Sequence, residues 1–128
     1  MAHKFRVLIV DDEPDIANSI GQVLQASMDN VDVTQASDGL EGLKALQAGE
    51  FDLILSDYKM PNMDGLEFLK RAKDMYPDVP RLLITAYPDP QLAARAVREA
   101  GVGLFIAKPF DVQYLVDVLK AFAPGHGE

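Results

Sequence analysis

The chain has 128 residues, 48% of them hydrophobic and 25% charged, the mixture of one ordinary globular domain rather than of a disordered or membrane-embedded chain. A formal charge of −8 without any cluster of Lys and Arg argues against a surface for phosphate backbones, so no direct nucleic-acid binding is expected. Cysteine is absent, which excludes disulfides, thiolate metal sites and thiol nucleophiles.

The N-terminal MAHKFRVLIVDD carries positive charge, but its apolar run is about four residues against the seven or more of a secretory leader. No stretch reaches the roughly 20 apolar residues of a membrane span, so a cytoplasmic location without membrane contact is expected. FRVLIV (5–10) reads as a first strand and runs straight into Asp11, Asp12, Glu13 and Pro14. Ile16, Ile20, Val23 and Leu24 then recur at helical spacing. VDVTQA (31–36) is a second strand, and Leu40, Leu43 and Leu46 mark a second helix opened by the capping box of Asp38 and Glu41. FDLILS (51–56) is a third strand that delivers Asp57. Leu66, Leu69 and Ala72 mark a third helix, opened by Asp64 and Glu67. RLLIT (81–85) and GLFIA (103–107) supply two more strands. Between them Asp89-Pro90 starts a helix with Leu92, Ala96 and Ala100 on one face, and Gly101 ends it. Tyr114, Leu115, Val118, Leu119 and Phe122 define a fifth helix, and APGHGE from 123 onward reads as a frayed tail.

Five alternations of strand and helix imply a doubly wound α/β fold, a five-stranded parallel sheet with helices on both faces. VLIV and LIL are continuous apolar runs suited to the centre of a sheet, whereas VDVT alternates as an edge strand does. That ranking fits strand order 2-1-3-4-5, in which ligands bind beyond the carboxyl ends of the strands, between strands 1 and 3.

Those ends carry Asp11, Asp12 and Asp57. Two carboxylates about 4 Å apart repel by roughly 4 kcal/mol at an effective dielectric near 20, so three in one crevice need a cation or must take up protons. A hard divalent cation such as Mg²⁺ suits all-oxygen ligands. Taken singly, each acid has a plainer reading: Asp12 and Glu13 as caps of the helix entered at Pro14, Asp57 as the cap of a turn before Pro61. Thr85 and Lys108 end strands 4 and 5 at the same edge, where a β-forming threonine and a neutralising lysine would also be ordinary.

VLIVDDEPD, LILSDYKMPNMDGLEFL, LLITAY and FIAKPF together resemble the receiver domain of bacterial two-component response regulators, over residues 5–122. The resemblance implies a flavodoxin-like receiver fold occupying residues 1–128 as one domain. It implies phosphoryl transfer from a histidine kinase or histidine phosphotransfer protein to Asp57, with Mg²⁺ (or Mn²⁺) held by Asp11, Asp12, Asp57 and the backbone carbonyl of Lys59. Thr85 and Lys108 would contact the phosphoryl oxygens, and such a domain catalyses only its own phosphorylation and dephosphorylation. It also implies a cis Lys108–Pro109 bond, although sequence alone leaves a trans proline equally open. Phe105 stands where the family's switch aromatic lies, without the hydroxyl that many receivers carry there. Lys59 and Tyr87 stand at positions that flank the phosphoryl group and tune water access. The face of helix 4, strand 5 and helix 5 is where the family pairs, as a homodimer, or meets targets. Arg95, Arg98, Glu99 and Asp117 lie there, with a solvated charged surface as the plainer reading.

Met60, Met63 and Met75 read as packing residues. His3 and His126 lie near the chain ends and make unconvincing ligands or bases. Two other readings compete. A magnesium-dependent phosphatase with an aspartyl nucleophile is weakened by Lys59, where such enzymes place a second aspartate. A pseudo-receiver that binds without phosphorylation is disfavoured by the full set of polar positions. The chain is either a stand-alone regulator or a piece of a longer protein.

Overall fold

A computed structural model describes residues 4–124. The strands are β1 (Phe5–Val10), β2 (Val31–Ala36), β3 (Leu53–Asp57), β4 (Arg81–Thr85) and β5 (Leu104–Ala107). The helices α1 (Pro14–Ser27), α2 (Gly39–Ala48), α3 (Gly65–Met75), α4 (Pro90–Ala100) and α5 (Val112–Lys120) alternate with them. All pairings are parallel, in the order β2-β1-β3-β4-β5. Of the tail expected from 123 onward, Ala123 packs against the core and donates its N–H to the Lys120 carbonyl at 3.1 Å, while residues 125–128, with His126, and His3 lie outside the described residues.

The continuous apolar strands are buried on both faces, as their sequences require. On one side Ala17, Ile20 and Leu24 of α1 and Leu115, Val116 and Leu119 of α5 pack on Val7, Ile9, Leu55 and Ile84. On the other, Leu46 of α2, Phe68 and Leu69 of α3 and Leu92 and Ala96 of α4 cover Leu8, Val10, Ile54 and Leu83. β2 forms the edge. Among the described residues no helix is long and apolar enough to cross a membrane.

Three expected packing positions differ. Leu40 is 49% exposed and Tyr114 61% exposed, because each faces away from the buried stripe of its helix. The buried stripe of α5 runs instead through Leu115, Val116 and Leu119. Met60 and Met63 are buried, but Met75, the last residue of α3, is at the surface.

Arg81 is a polar residue in this core that the sequence did not flag. It is buried, and its Nε donates to the carbonyl of Ala100 at 2.8 Å. One Nη donates to the carbonyls of Val79, Tyr76 and Pro77, and the other to that of Gly101. A cation placed at the C-terminal ends of α3 and α4 meets the negative poles of both helices and satisfies carbonyls that lack intrahelical partners.

Candidate functional site

Each acid at the carboxyl edge is fixed by the backbone that follows its strand. Asp11 follows β1, and its Oδ1 accepts the Glu13 N–H at 2.8 Å. Asp57 closes β3; its Oδ1 accepts the Tyr58 N–H at 3.0 Å, while Oδ2 faces the Lys108 Nζ at 3.3 Å. Oxygen atoms of Asp11, Asp12, Glu13 and Asp57 all lie within 4.8 Å of one another. Asp11 and Asp57 are buried and Asp12 and Glu13 exposed, so the cluster opens to solvent on one side. Asp12, Glu13, Asp57, Lys59, Ala86, Tyr87 and Lys108 line a cleft of about 260 Å³.

Burial pushes the Asp11 carboxyl up to about 6, with the Asp57 charge adding to the rise; the Glu13 amide and Lys108 oppose it without cancelling it. Burial likewise raises Asp57 above the usual carboxylate range despite Lys108 beside it. Lys108 feels the reverse balance: burial of its stem pulls its pKa down, but Asp11, Asp57 and Glu13 together hold it above its ordinary value. One ammonium shared among three carboxylates leaves an excess of negative charge, which is the electrostatic condition for taking up a cation.

The other sequence candidates fall around this centre. Thr85 is buried at the end of β4, where its Oγ1 accepts the Tyr87 N–H at 3.0 Å and its carbonyl accepts the Lys108 N–H at 2.7 Å. The Lys108–Pro109 peptide bond is cis. Lys59 Nζ sits 5.5 Å from the centroid of the Tyr87 ring, joining the two side chains across the cleft. Phe105 is half-buried on β5 opposite Leu83, two residues before the partner of Thr85, so it shares a sheet face with that threonine. Arg95 pairs with Glu99 at 3.1 Å within α4, Glu99 also lies 3.7 Å from Lys70 of α3, and Asp117 accepts from Gln113 at 3.0 Å within α5.

Sequence reading left Glu13 as a cap of α1. Its carboxylate makes no capping bond and stands 3.5 Å from Lys108 Nζ. Gly65 was also missed. A Cβ there would fall inside the van der Waals envelope of the Asp57 carbonyl oxygen and against Tyr58 Cα, while the Gly65 N–H donates to the Tyr58 carbonyl at 2.7 Å. Only glycine lets α3 start this close to the strand end that carries Asp57. Gly65→Ala is therefore expected to destabilise the chain by about 3 kcal/mol, read as a lower urea midpoint at unchanged m. An unchanged midpoint would contradict that close approach.

The chain belongs to the response regulator receiver domain family, which it matches over residues 7–120. It is 33% identical over 119 residues to sporulation initiation phosphotransferase F of Bacillus subtilis (strain 168), an alignment spanning 93% of this chain and 94% of that protein. It is also 33% identical to the transcriptional regulatory protein GlrR of Escherichia coli (strain K12), over 100% of this chain but 29% of GlrR. The chain thus spans under a third of that relative's length. Among solved structures, the signal receiver domain of an HD domain-containing protein from Pseudomonas fluorescens Pf-5 superposes with a TM-score of 0.84 at 31% identity, over 92% of this chain and 93% of that one. The response regulator TrrA of Thermotoga maritima, solved as a Mg²⁺–BeF complex, superposes with a TM-score of 0.78 at 28% identity, over 92% and 98%. Fold, acidic pocket and family agree on a receiver phosphoacceptor domain of the two-component type, a signalling module rather than a turnover enzyme.

Proposed function

We propose that Asp57 accepts a phosphoryl group from a phosphohistidine on a histidine kinase or histidine phosphotransfer protein, in the cytoplasm. The observation that carries this reading is the Asp57 carboxylate at the strand end, one oxygen pinned by a backbone amide and the other turned to Lys108 in an open cleft. In the step itself, an Asp57 oxygen forms the O–P bond as the N–P bond of the phosphohistidine breaks. The bonding pair returns to the imidazole, which takes a proton from solvent.

Every ligand atom in the cluster is a carboxylate oxygen, so the residues fit a hard divalent cation, Mg²⁺ or Mn²⁺. Asp11, Asp12 and Asp57, with the backbone carbonyl of Lys59, would hold it, and the Mg²⁺–BeF complex of TrrA supports the assignment. When bound, the cation supplies charge neutralisation at the phosphoryl oxygens. Lys108 adds an ammonium to the same oxygens, and the Thr85 hydroxyl turns from the Tyr87 amide to donate to one of them.

Phosphorylation adds roughly one to two negative charges, and the turn of Thr85 toward them vacates space on the sheet face that Phe105 shares. Phe105 then rotates inward and alters the surface of α4, β5 and α5, where Val97 and Tyr114 are exposed and a homodimer or target would dock. Identical Phe105 rotamers in free and beryllofluoride-bound crystals would reject this step. Tyr87, held across the cleft by Lys59, shields the acyl phosphate from water. Tyr87→Ala is expected to shorten the phosphorylated lifetime severalfold, and an unchanged dephosphorylation rate would remove the shield from the mechanism.

The reading is tested by incubation with acetyl phosphate and Mg²⁺. A mass gain of one phosphoryl group per chain supports it; sustained turnover of added phosphomonoesters would favour a phosphatase.

A further inference from the structure

Lys108 serves three carboxylates at once. Its Nζ lies 3.3 Å from Asp57 Oδ2, 3.5 Å from Glu13 Oε1 and 3.8 Å from Asp11 Oδ2. The Asp11 and Asp57 side chains are 3% and 6% exposed, whereas that of Glu13 is 62% exposed. Glu13 also stands apart from the other helix N-caps. Asp38, Asp64, Asp89 and Asp111 each accept a backbone N–H of their own helix, but the Glu13 carboxylate caps nothing. Its helix opens on Pro14, which offers no N–H. The carboxylate left over by α1 is the one that reaches Lys108.

We propose that Glu13 is a positioning residue that retains Lys108 at the mouth of the pocket and competes with incoming phosphoryl oxygens for its ammonium. The inference rests on Asp57 as acceptor and Lys108 as a phosphoryl contact. The ammonium lies within ion-pair distance of all three carboxylates, so an incoming phosphoryl oxygen competes with them for its charge. The exposed pair is the weakest of them and yields first. Until it does, Glu13 also sets a negative charge across the entry of an anionic donor. Both effects slow phosphorylation without Glu13 touching the reacting atoms.

Glu13→Gln keeps the size and removes the charge. With acetyl phosphate and Mg²⁺ at low salt, this variant is expected to be phosphorylated about two- to fivefold faster than wild type, the scale of an exposed ion pair. The ratio should fall toward one in 1 M KCl, where the screening length is about 3 Å. A ratio that persists in high salt would mark an altered first turn of α1 and overturn the proposal. A second readout needs neither donor nor metal: the Lys108 side-chain nitrogen resonance should shift in metal-free Glu13→Gln, and an unshifted resonance overturns the contact. If the variant gains its phosphoryl group on Asp57 no faster than wild type, the Glu13 role fails and the Asp57 assignment stands. A wild-type chain that gains none at Asp57 would sink that assignment and this proposal with it.

Discussion

Asp57→Ala is expected to abolish the phosphoryl mass gain completely in acetyl phosphate and Mg²⁺, while leaving the fold intact. Three aspartates meet in the pocket, so the acceptor has to be distinguished from its neighbours by geometry. The Asp11 carboxylate accepts the Glu13 amide and lies 3.8 Å from Lys108; Asp12 is exposed at the rim. Asp57 is the buried acid whose free oxygen is nearest to the ammonium, at 3.3 Å, and it ends the strand lying between β1 and β4. Under the proposed function an oxygen held there would attack phosphorus with the Lys108 ammonium beside the developing charge, whereas alanine supplies no nucleophile. Intact-protein mass spectrometry checks the loss, and circular dichroism checks the fold. Residual phosphorylation on Asp11 or Asp12 in the variant would move the acceptor elsewhere.

Metal-free stability should depend on pH through Asp11 and Asp57, and Asp11→Asn should remove the larger, Asp11 share of that dependence. Burial raises the folded-state pKa from 3.8 to about 6. Below pH 3.8 the carboxyl is protonated in both folded and unfolded chains and carries no penalty. As the pH rises through about 6 the folded chain must ionise a buried acid, so stability is lost across that window. The shift corresponds to about 2 to 3 kcal/mol at pH 7.5, and Asp57, raised in the same direction, adds to it. Wild type and Asp11→Asn should therefore match near pH 4 without metal, and the variant should be the more stable by about 2 to 3 kcal/mol at pH 7.5. Saturating Mg²⁺ should reverse the order at pH 7.5, since ligand binding stabilises only the chain that keeps its ligands. Urea titrations at the two pH values, with Mg²⁺ or with chelator, provide the check. A wild type insensitive to both pH and Mg²⁺ would show that ionising the buried Asp11 carries no penalty and that the pocket holds no cation.

The acids could be read from sequence because each lies at the end of an apolar run, and a parallel sheet brings the ends of adjacent strands together. The contrast between continuous and alternating runs placed β1 and β3 at the centre and β2 at an edge, but it did not mark β5, whose continuous LFIA lies at the other edge. Glu13 escaped because periodicity locates a residue on a helix but not the direction of a side chain just before it. Its usual role as a cap hid its reach to Lys108. Arg81 escaped for a different reason: its partners are backbone carbonyls at residues 76, 77, 79, 100 and 101, which leave no mark on side-chain pattern. Gly65 reads as an ordinary helix-start glycine until the Asp57 carbonyl is seen against it. Leu40 and Tyr114 fit helical spacing yet face solvent, since each stands just outside the buried stripe of its helix, Gly39, Gly42 and Leu46 in α2 and Leu115, Val116 and Leu119 in α5.

The central claim is that this acidic pocket gathers a divalent cation and a phosphoryl group on one side chain. A crystal structure of the chain grown with Mg²⁺ and beryllofluoride tests it most directly. The account predicts beryllium bonded to an Asp57 oxygen, its fluorides met by Lys108 and Thr85, and the cation among Asp11, Asp12 and Asp57. An empty cleft, or beryllofluoride bound to another carboxylate, would contradict it.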